Sequence, residues 1–400
     1  VKNNNENVSS DELQIRIKNL QKAICEKDIS GAVIYQNTDL FYFTGTSFKG
    51  WFYVPAQGKP ILAVFNDLSR VKQESPLDNI VDARSIDEIP DIISRFGYLQ
   101  PNVLGLECDV LPTNLYFKFQ NIFKNIEFVD ISTEIRLIRA IKSKYELRKI
   151  KAAAALSDKV AERAAELLVA GKTEVALSGE LESYARSLGH QGIVRMRLWG
   201  AEMHFGHLMS GASAAIPSYL ASPTGGQGVS PAIGQGAGYN TIGKNEPVLI
   251  DYVFALDRYL SDHTRIFSIG PISNELQEAH HAMLTIQEMV KKEAKPGVET
   301  GTLYEMMVSL AEKLGYGDSF MGVGDRKIRF TGHGVGLELD EYPFIAKGQS
   351  VKLKTGMVIA LEPKAIFPEK GVVGIENTHV CTDNGLETLG TFSDEITIIT

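Results

Sequence analysis

The spacing of apolar and polar residues changes character twice along the chain. From residue 11 to about 134 it alternates between helical and strand-like periods. "DELQIRIKNLQKAICEKD" carries apolar side chains at helical spacing behind an acidic start, which predicts a capped amphipathic helix. "GAVIYQ", "LFYFTG", "WFYVPA", "PILAVF", "VLGLEC" and "IEFVDIS" are short apolar runs between turn residues and predict strands. The pattern predicts an α/β domain. It then gives way to "RLIRAIKSKYELRKIKAAAALSDKVAERAAELLVAGKTE", which is rich in Ala, Lys and Glu and predicts one long helical stretch. The domain boundary is expected near 140–144, giving an N-terminal domain over 1–141 and a second over 142–400 that mixes helices with apolar hairpins.

The second part contains an internal echo. Residues 171–189, "GKTEVALSGELESYARSLG", align without gaps on residues 297–315, "GVETGTLYEMMVSLAEKLG". Shared helical periodicity and a C-terminal glycine cap account for part of this. The alternative is a duplicated helix–hairpin half, each copy associated with one carboxylate-bearing hairpin. The expected fold is thus an α/β domain followed by an α+β domain with two pseudo-twofold halves.

Those hairpins hold the unusual residues. "LIDYVFALDRYLSDHTR" (249–265) looks built for a core yet carries Asp251 and Asp262. A two-residue turn at Leu256–Asp257 would set the two aspartates directly opposite each other, on one face and about 5 Å apart at Cβ. A solvated surface hairpin would tolerate that, but the apolar neighbours of Asp251 argue for burial. Buried, the pair needs positive charge between its carboxylates, most simply a metal ion. Near the C-terminus, "MVIALEPKAIFPEKGVVGIENTHV" is strand, turn and strand, and the same reasoning sets Glu362 opposite Glu376. Between the hairpins, "FTGHGVGLELDEYPF" places His333 between glycines that permit close backbone approach. Four carboxylates and one imidazole suit Mn²⁺, Co²⁺, Zn²⁺ or Fe²⁺. Two such ions, bridged by carboxylates, would hold a hydroxide nucleophile and polarise a carbonyl.

In order and spacing, Asp251, Asp262, His333, Glu362 and Glu376 match the five metal ligands of the pita-bread metallopeptidases, the group of prolidase, aminopeptidase P, methionine aminopeptidase and the metal-free relative creatinase. "SDHTR" resembles its S-D-x-T-R segment, "GHGVGL" its G-H-x-x-G-L segment, and "EN" after Gly374–Ile375 its second glutamate motif. The first domain and "LIRAIKSKYEL" resemble the N-terminal domain and linker of the creatinase and prolidase branch. The resemblance implies two divalent ions. Asp251 would bind one, Asp262 and Glu376 would bridge, and His333 and Glu362 would bind the other, Glu362 also serving as general base. It implies a homodimer that hydrolyses short proline-containing peptides at the bond before proline.

The chain departs from the family pattern at three positions. The histidines expected after a proline upstream of the first aspartate, and seven residues after His333, are Ser218 and Asp340. The arginine usual two residues before the last glutamate is Gly374. Upstream, "EMHFGHLMSG" offers His204 and His207 as substitutes in substrate binding. These departures keep open a non-peptidase hydrolase or lyase on the same fold, and a partner-binding scaffold. The glycine-rich "SPTGGQGVSPAIGQGAGYN" (222–240) lacks a phosphate-loop frame and reads as an ordered rim or lid.

Composition narrows the setting. With 44% apolar and 22% charged residues, the 400-residue chain has the make-up of an ordinary soluble protein. Its net charge of −8, from 41 basic and 49 acidic residues, argues against a nucleic-acid or anionic-membrane partner. Three scattered cysteines, Cys25, Cys108 and Cys381, form no CxxC and fit a reducing cytoplasm. The polar opening "VKNNNENVSSDELQ" lacks the apolar core of a secretory signal, and no apolar run reaches the roughly 20 residues needed to span a bilayer.

Overall fold

The computed structural model describes residues 7–220 and 222–400, so the first part of the polar opening lies outside the described residues. The chain divides into a unit ending at Arg139 and a unit from Ala140 to Thr400.

In the first unit, helix α1 (Ser10–Cys25) begins where the Ser9 hydroxyl accepts the Glu12 N–H, and it buries Leu13, Ile17, Leu20 and Ile24 along one stripe. Strands β1 (Gly31–Ile34), β2 (Gly50–Pro55), β3 (Ile61–Val64), β4 (Ile80–Asp82), β5 (Val103–Leu106) and β6 (Glu127–Asp130) form one mixed sheet in the order β4-β3-β2-β1-β5-β6. Helices α2 (Asn37–Thr44), α3 (Leu68–Glu74), α4 (Ile89–Arg95), α5 (Thr113–Ile122) and α6 (Ser132–Ala140) connect the strands or follow them. One expectation fails here: "LFYFTG" belongs to α2, not to a strand. The Gln36 side chain accepts the N–H groups of Thr38 and Asp39, and Gly45, at φ 76°, closes the far end. Capping at both ends outweighs the strand preference of its aromatic residues.

The second unit starts with another correction. The long helix expected across residues 136–174 is interrupted. Ser143 caps α7 (Lys144–Leu167), and the Glu146 side chain returns to the Ser143 N–H in a reciprocal capping box. Helix α8 (Glu174–Ser187), strands β7 (Gly206–Ser210), β8 (Val248–Leu256) and β9 (Tyr259–Ile269), and helices α9 (Asn274–Glu293) and α10 (Thr300–Lys313) follow. Strands β10 (Phe330–Gly334), β11 (Glu341–Ala346), β12 (Val358–Leu361), β13 (Lys364–Phe367), β14 (Gly371–Gly374), β15 (Asn377–Thr382), β16 (Gly385–Thr388) and β17 (Thr397–Ile399) complete it. The strands make sheets β17-β9-β8-β7 and β11-β10-β12-β15-β16, plus the pair β13-β14.

The internal echo corresponds to a structural repeat. α8 and α10 occupy matching positions, each after a long helix and a glycine at positive φ, Gly171 at 89° and Gly297 at 93°. Each ends the same way: the His190 N–H reaches Ala185 O, and the Tyr316 N–H reaches Ala311 O. Leu177 and Leu181 of α8 pack with Val160 and Ala164 of α7 against Ile250, Tyr252 and Phe254. Leu303 and Met307 of α10 pack with Met283 and Ile286 of α9 in a cluster that includes Ile359, Leu361, Val372 and Val373. In β8 the even-numbered side chains thus face the helices, and strand alternation turns Asp251 to the opposite face.

The first hairpin differs in register from the expected one. Asp251 lies opposite Thr264, and Val253 opposite Asp262. The turn is Asp257–Arg258, with both residues at positive φ (48° and 71°), the geometry a two-residue hairpin of this hand requires. Moving the turn by one residue shifts the pairing by two, so Asp251 and Asp262 become diagonal neighbours on the same face. In the second hairpin the expected register holds: Lys364 pairs with Gly374 and Leu361 with Asn377, which leaves Glu362 and Glu376 level between them.

Candidate active site

The carboxylates meet on the inner face of the second unit, and each is placed by a strand or a strand end. Asp251 lies in β8 and Asp262 in β9; Glu362 follows β12 and Glu376 precedes β15. His333 lies in β10, where the backbone is crowded. A side chain at Gly332 would meet Ala360 O at 2.6 Å, and one at Gly334 would meet Tyr342 O at 2.1 Å. Glycine on both sides is what lets the histidine strand sit this close to its neighbours.

The cluster has two sides. On one, His333 Nε2 lies 3.6 Å from Asp262 Oδ2, 3.8 Å from Glu376 Oε1 and 3.9 Å from Glu362 Oε1. His333 Nδ1 is 3.2 Å from the Gly334 carbonyl, a contact an Nδ1–H satisfies while leaving the Nε2 lone pair toward the carboxylates. On the other side stands Lys364, which the sequence reading did not single out. Its Nζ lies 2.8 Å from Glu376 Oε2, 2.9 Å from Glu362 Oε2 and 3.4 Å from Asp251 Oδ2. The two glutamates therefore present one oxygen to the imidazole and the other to the ammonium. The signal for Lys364 was available: a lysine between Pro363 and "AIF", two residues from Glu362 and so on its face by strand alternation.

Burial dominates the electrostatics. The Asp262 carboxyl is held well above the ordinary range by desolvation and then by the charges of Glu376 and Asp251. Glu362 is raised by desolvation and by Glu376, against the opposing pull of Lys364 and His333. Desolvation would lower the Lys364 amine, but Asp251, Glu362 and Glu376 together outweigh it and raise the amine well above its usual value.

A second layer fixes the oxygens. Thr264 Oγ1 donates to Glu376 Oε2 at 2.9 Å. Thr378 Oγ1 accepts the Asp262 N–H at 2.8 Å and donates to its carbonyl at 2.9 Å. Arg265, the last residue of "SDHTR", donates to Glu376 O at 3.0 Å, to Asn377 Oδ1 at 2.8 Å and to Phe392 O at 3.0 Å, clamping the second hairpin to the first.

One metal ion fits the His333 side. Ligand atoms of Asp262, His333 and Glu376 all lie within 4.8 Å of one another. Metal–ligand bonds of about 2.0–2.2 Å place two ligands of one ion roughly 3–4 Å apart, which matches the 3.6–3.9 Å separations.

The residues suggested for substrate binding separate. His207 of β7 lies directly opposite Asp251 and is buried, and its Nε2 has no hydrogen-bond partner. Burial lowers its affinity for a proton, with the charges of Asp251 and Lys364 opposing each other. His204 is exposed. Ser218 is engaged by its own loop, its Oγ accepting the Leu220 N–H at 2.9 Å and lying 3.3 Å from Gln235 Oε1. Asp340 accepts the N–H groups of Arg197 and Leu198, each at 2.7 Å, and so braces a backbone segment. The glycine-rich segment is ordered by bonds such as Gly236 N–H to Gly225 O at 2.6 Å, and a Cβ at Gly236 would touch the His207 ring at 3.9 Å. It lies against His207 and carries none of the features of a phosphate loop.

Residues 148–383 match the family model for Metallopeptidase family M24, and residues 16–141 that for the Creatinase/Prolidase N-terminal domain. An Xaa-Pro dipeptidase of Pyrococcus furiosus is 29% identical over 378 residues, covering 94% of this chain and 97% of the relative. An uncharacterized peptidase of Bacillus subtilis, YqhT, is 26% identical over 96% of this chain and 100% of its own. Among solved structures, the prolidase from Pyrococcus furiosus superimposes with a TM-score of 0.76 at 27% identity, covering 93% of this chain and 99% of that one. An Xaa-Pro dipeptidase from Bacillus anthracis gives 0.81 at 23% identity, covering 96% and 99%, a likeness of fold. The expected pita-bread fold, preceded by a creatinase/prolidase-type N-terminal domain, is the fold of this chain.

Proposed function

The chain belongs to metallopeptidase family M24, and from that premise we propose that it hydrolyses the peptide bond before proline in short peptides, as a metal-dependent Xaa-Pro dipeptidase or aminopeptidase. The observation that carries this reading is the convergence of Asp262, His333, Glu362 and Glu376 on one buried spot. Divalent metal is implied by the family, and Asp262, His333 and Glu376 would hold it. A bound ion would polarise the scissile carbonyl and acidify the attacking water.

This chain's own residues do the rest. Glu362, whose affinity for protons burial has raised, takes the proton of the attacking water and returns it to the departing amine. Thr264 and Thr378 hold Glu376 and Asp262 in place. His207, with its free Nε2 beside Asp251, supplies the donor to the substrate carbonyl that Ser218 and Asp340 do not. Asp251 completes the acidic wall, facing Lys364. A cytoplasmic homodimer belongs to the same reading, carried by the family resemblance; the three cysteines are free thiols, and among the described residues no helix is long and apolar enough to cross a membrane.

A second reading has its own support. Asp340 is committed to backbone N–H groups and Ser218 to its loop, which favours a metal-dependent non-peptidase hydrolase or lyase acting on a small acid. Hydrolysis of Xaa-Pro dipeptides and Xaa-Pro-Yaa tripeptides separates the two. The protein would be reconstituted in turn with Mn²⁺, Co²⁺, Zn²⁺ and Fe²⁺. Metal-dependent cleavage is expected, and length preference would name the subclass. Bound metal with no cleavage of any proline peptide would leave the second reading.

A further inference from the structure

We infer that this protein is a one-ion, one-lysine variant of a two-cation centre. A single divalent ion binds on the His333 side, and the Lys364 amino group permanently occupies the Asp251 side of the cluster, where it engages Asp251 and Glu376, two of the ligands that the five-ligand pattern gives to a second ion. The inference rests on the metal-dependent reading above and concerns how many ions the site takes.

The oxygen assignments lead here. Glu362 and Glu376 each face His333 through Oε1 and Lys364 through Oε2. Two carboxylates that turn one oxygen to each side are arranged to bridge two positive centres. On the His333 side, Asp262 Oδ2 and the imidazole complete a donor set for an ion. On the other side, the third oxygen is Asp251 Oδ2, and the centre of the three is Lys364 Nζ. An ammonium has three N–H donors, and here three carboxylate oxygens surround it. Its hydrogen bonds are fully spent within the cluster, so it acts as a fixed charge.

The neighbouring backbone makes room for the lysine. Lys364 pairs directly with Gly374 across β13-β14. A Cβ at Gly374 would lie 2.7 Å from Lys364 Cα and 2.4 Å from Pro363 O, and 3.2 Å from Lys364 Cγ. Only glycine leaves room for the lysine stem. The positive side chain missing at 374 is thus supplied from the facing strand, and it reaches into the cluster itself. Lys364 is 1% exposed, buried together with the carboxylates it contacts. A divalent ion cannot share this place with an ammonium already in contact with all three oxygens.

The test is metal counting on the full chain, without substrate. The protein is equilibrated with excess Mn²⁺, passed through a desalting column, and its metal measured per chain by mass spectrometry. Electron paramagnetic resonance then separates an isolated Mn²⁺ from a spin-coupled pair. One ion per chain with an uncoupled six-line signal is expected. Two ions with a coupled signal would overturn the inference, and so would none. In Lys364→Ala, the vacated oxygens should admit a second Mn²⁺, raising the count to two. A correctly folded variant that still binds one would contradict the assignment of Lys364 as occupant. Should the variant fail to fold, the wild-type count decides alone. Because the count is taken without peptide, it stands or falls separately from the proline-peptide reading.

Discussion

The two sides of the carboxylate cluster are built from the same glutamates yet serve different ends. On the His333 side the nearest charged or donor atoms stand 3.6–3.9 Å apart, a spacing that a small ion would draw together. On the Lys364 side the spacing is 2.8–3.4 Å, already that of closed hydrogen bonds. One side has the spacing of ligands to an ion; the other is a closed hydrogen-bonded contact. Metal chemistry and structural charge balance can thus be separated within a few ångströms, and variants on the two sides should fail in different ways.

The largest effect is expected on the open side. Asp262→Ala removes a donor from the ion and should lower peptide hydrolysis by about 10³-fold or more, since Lewis-acid stabilisation contributes several kcal/mol and each 1.36 kcal/mol is tenfold. Its metal content should fall in parallel. Retained activity at full metal content would remove Asp262 from the site. On the closed side the expected loss is stability. Lys364→Met leaves Asp251, Glu362 and Glu376 without their shared partner and should cost roughly 3–5 kcal/mol in urea unfolding of metal-free protein. Added Mn²⁺ should recover much of that loss. A Lys364→Met protein as stable as wild type without metal would show that the ammonium does not balance the cluster.

Much of this site was legible in the sequence. Asp251, Asp262, His333, Glu362 and Glu376 could be picked out because strand alternation, two turns and glycines flanking a histidine are local signals. The first register was misjudged by one turn residue, because Asp257 and Arg258 both accept positive φ, a tolerance that composition does not advertise. Alternation kept both aspartates on one face regardless. Lys364 was harder to see, since a lysine in an apolar strand usually reads as an edge residue with its amine in water. Its meaning emerges only with Gly374 opposite it and three carboxylates around it. The misassigned "LFYFTG" is a tertiary effect of another kind, in which a Gln36 cap and Gly45 overrule an aromatic strand pattern. Ser218 and Asp340 were legible as departures, but Asp340's partners are backbone groups distant in sequence, and Ser218 bonds within its own loop.

Smaller effects sharpen the contrast. Thr264→Val removes the hydroxyl that donates to Glu376 Oε2. It should weaken metal affinity by about 10–100-fold, as loss of such supporting bonds does elsewhere, measured by chelator competition. An unchanged affinity would confine Thr264 to the Lys364 side. The smallest effect lies outside the cluster. Burial depresses His379 to about 3 and His190 to about 4. Between the unfolded value near 6.5 and those folded values, the unfolded chain binds protons that the folded chain does not. Stability conferred by the neutral rings is therefore full above about pH 7 and declines as pH falls, by about 1.4 kcal/mol per pH unit for each histidine. His379→Leu should make the acid limb shallower by one such share in urea titrations from pH 7 to 5. An unaltered slope would mean that His379 is protonated when folded.

Anomalous diffraction from crystals grown in excess Mn²⁺ tests the two-sided centre most directly. A single peak coordinated by His333, Asp262 and Glu376 is expected, with Lys364 Nζ still among Asp251, Glu362 and Glu376. Two peaks, with the lysine swung out of the cluster, would contradict it.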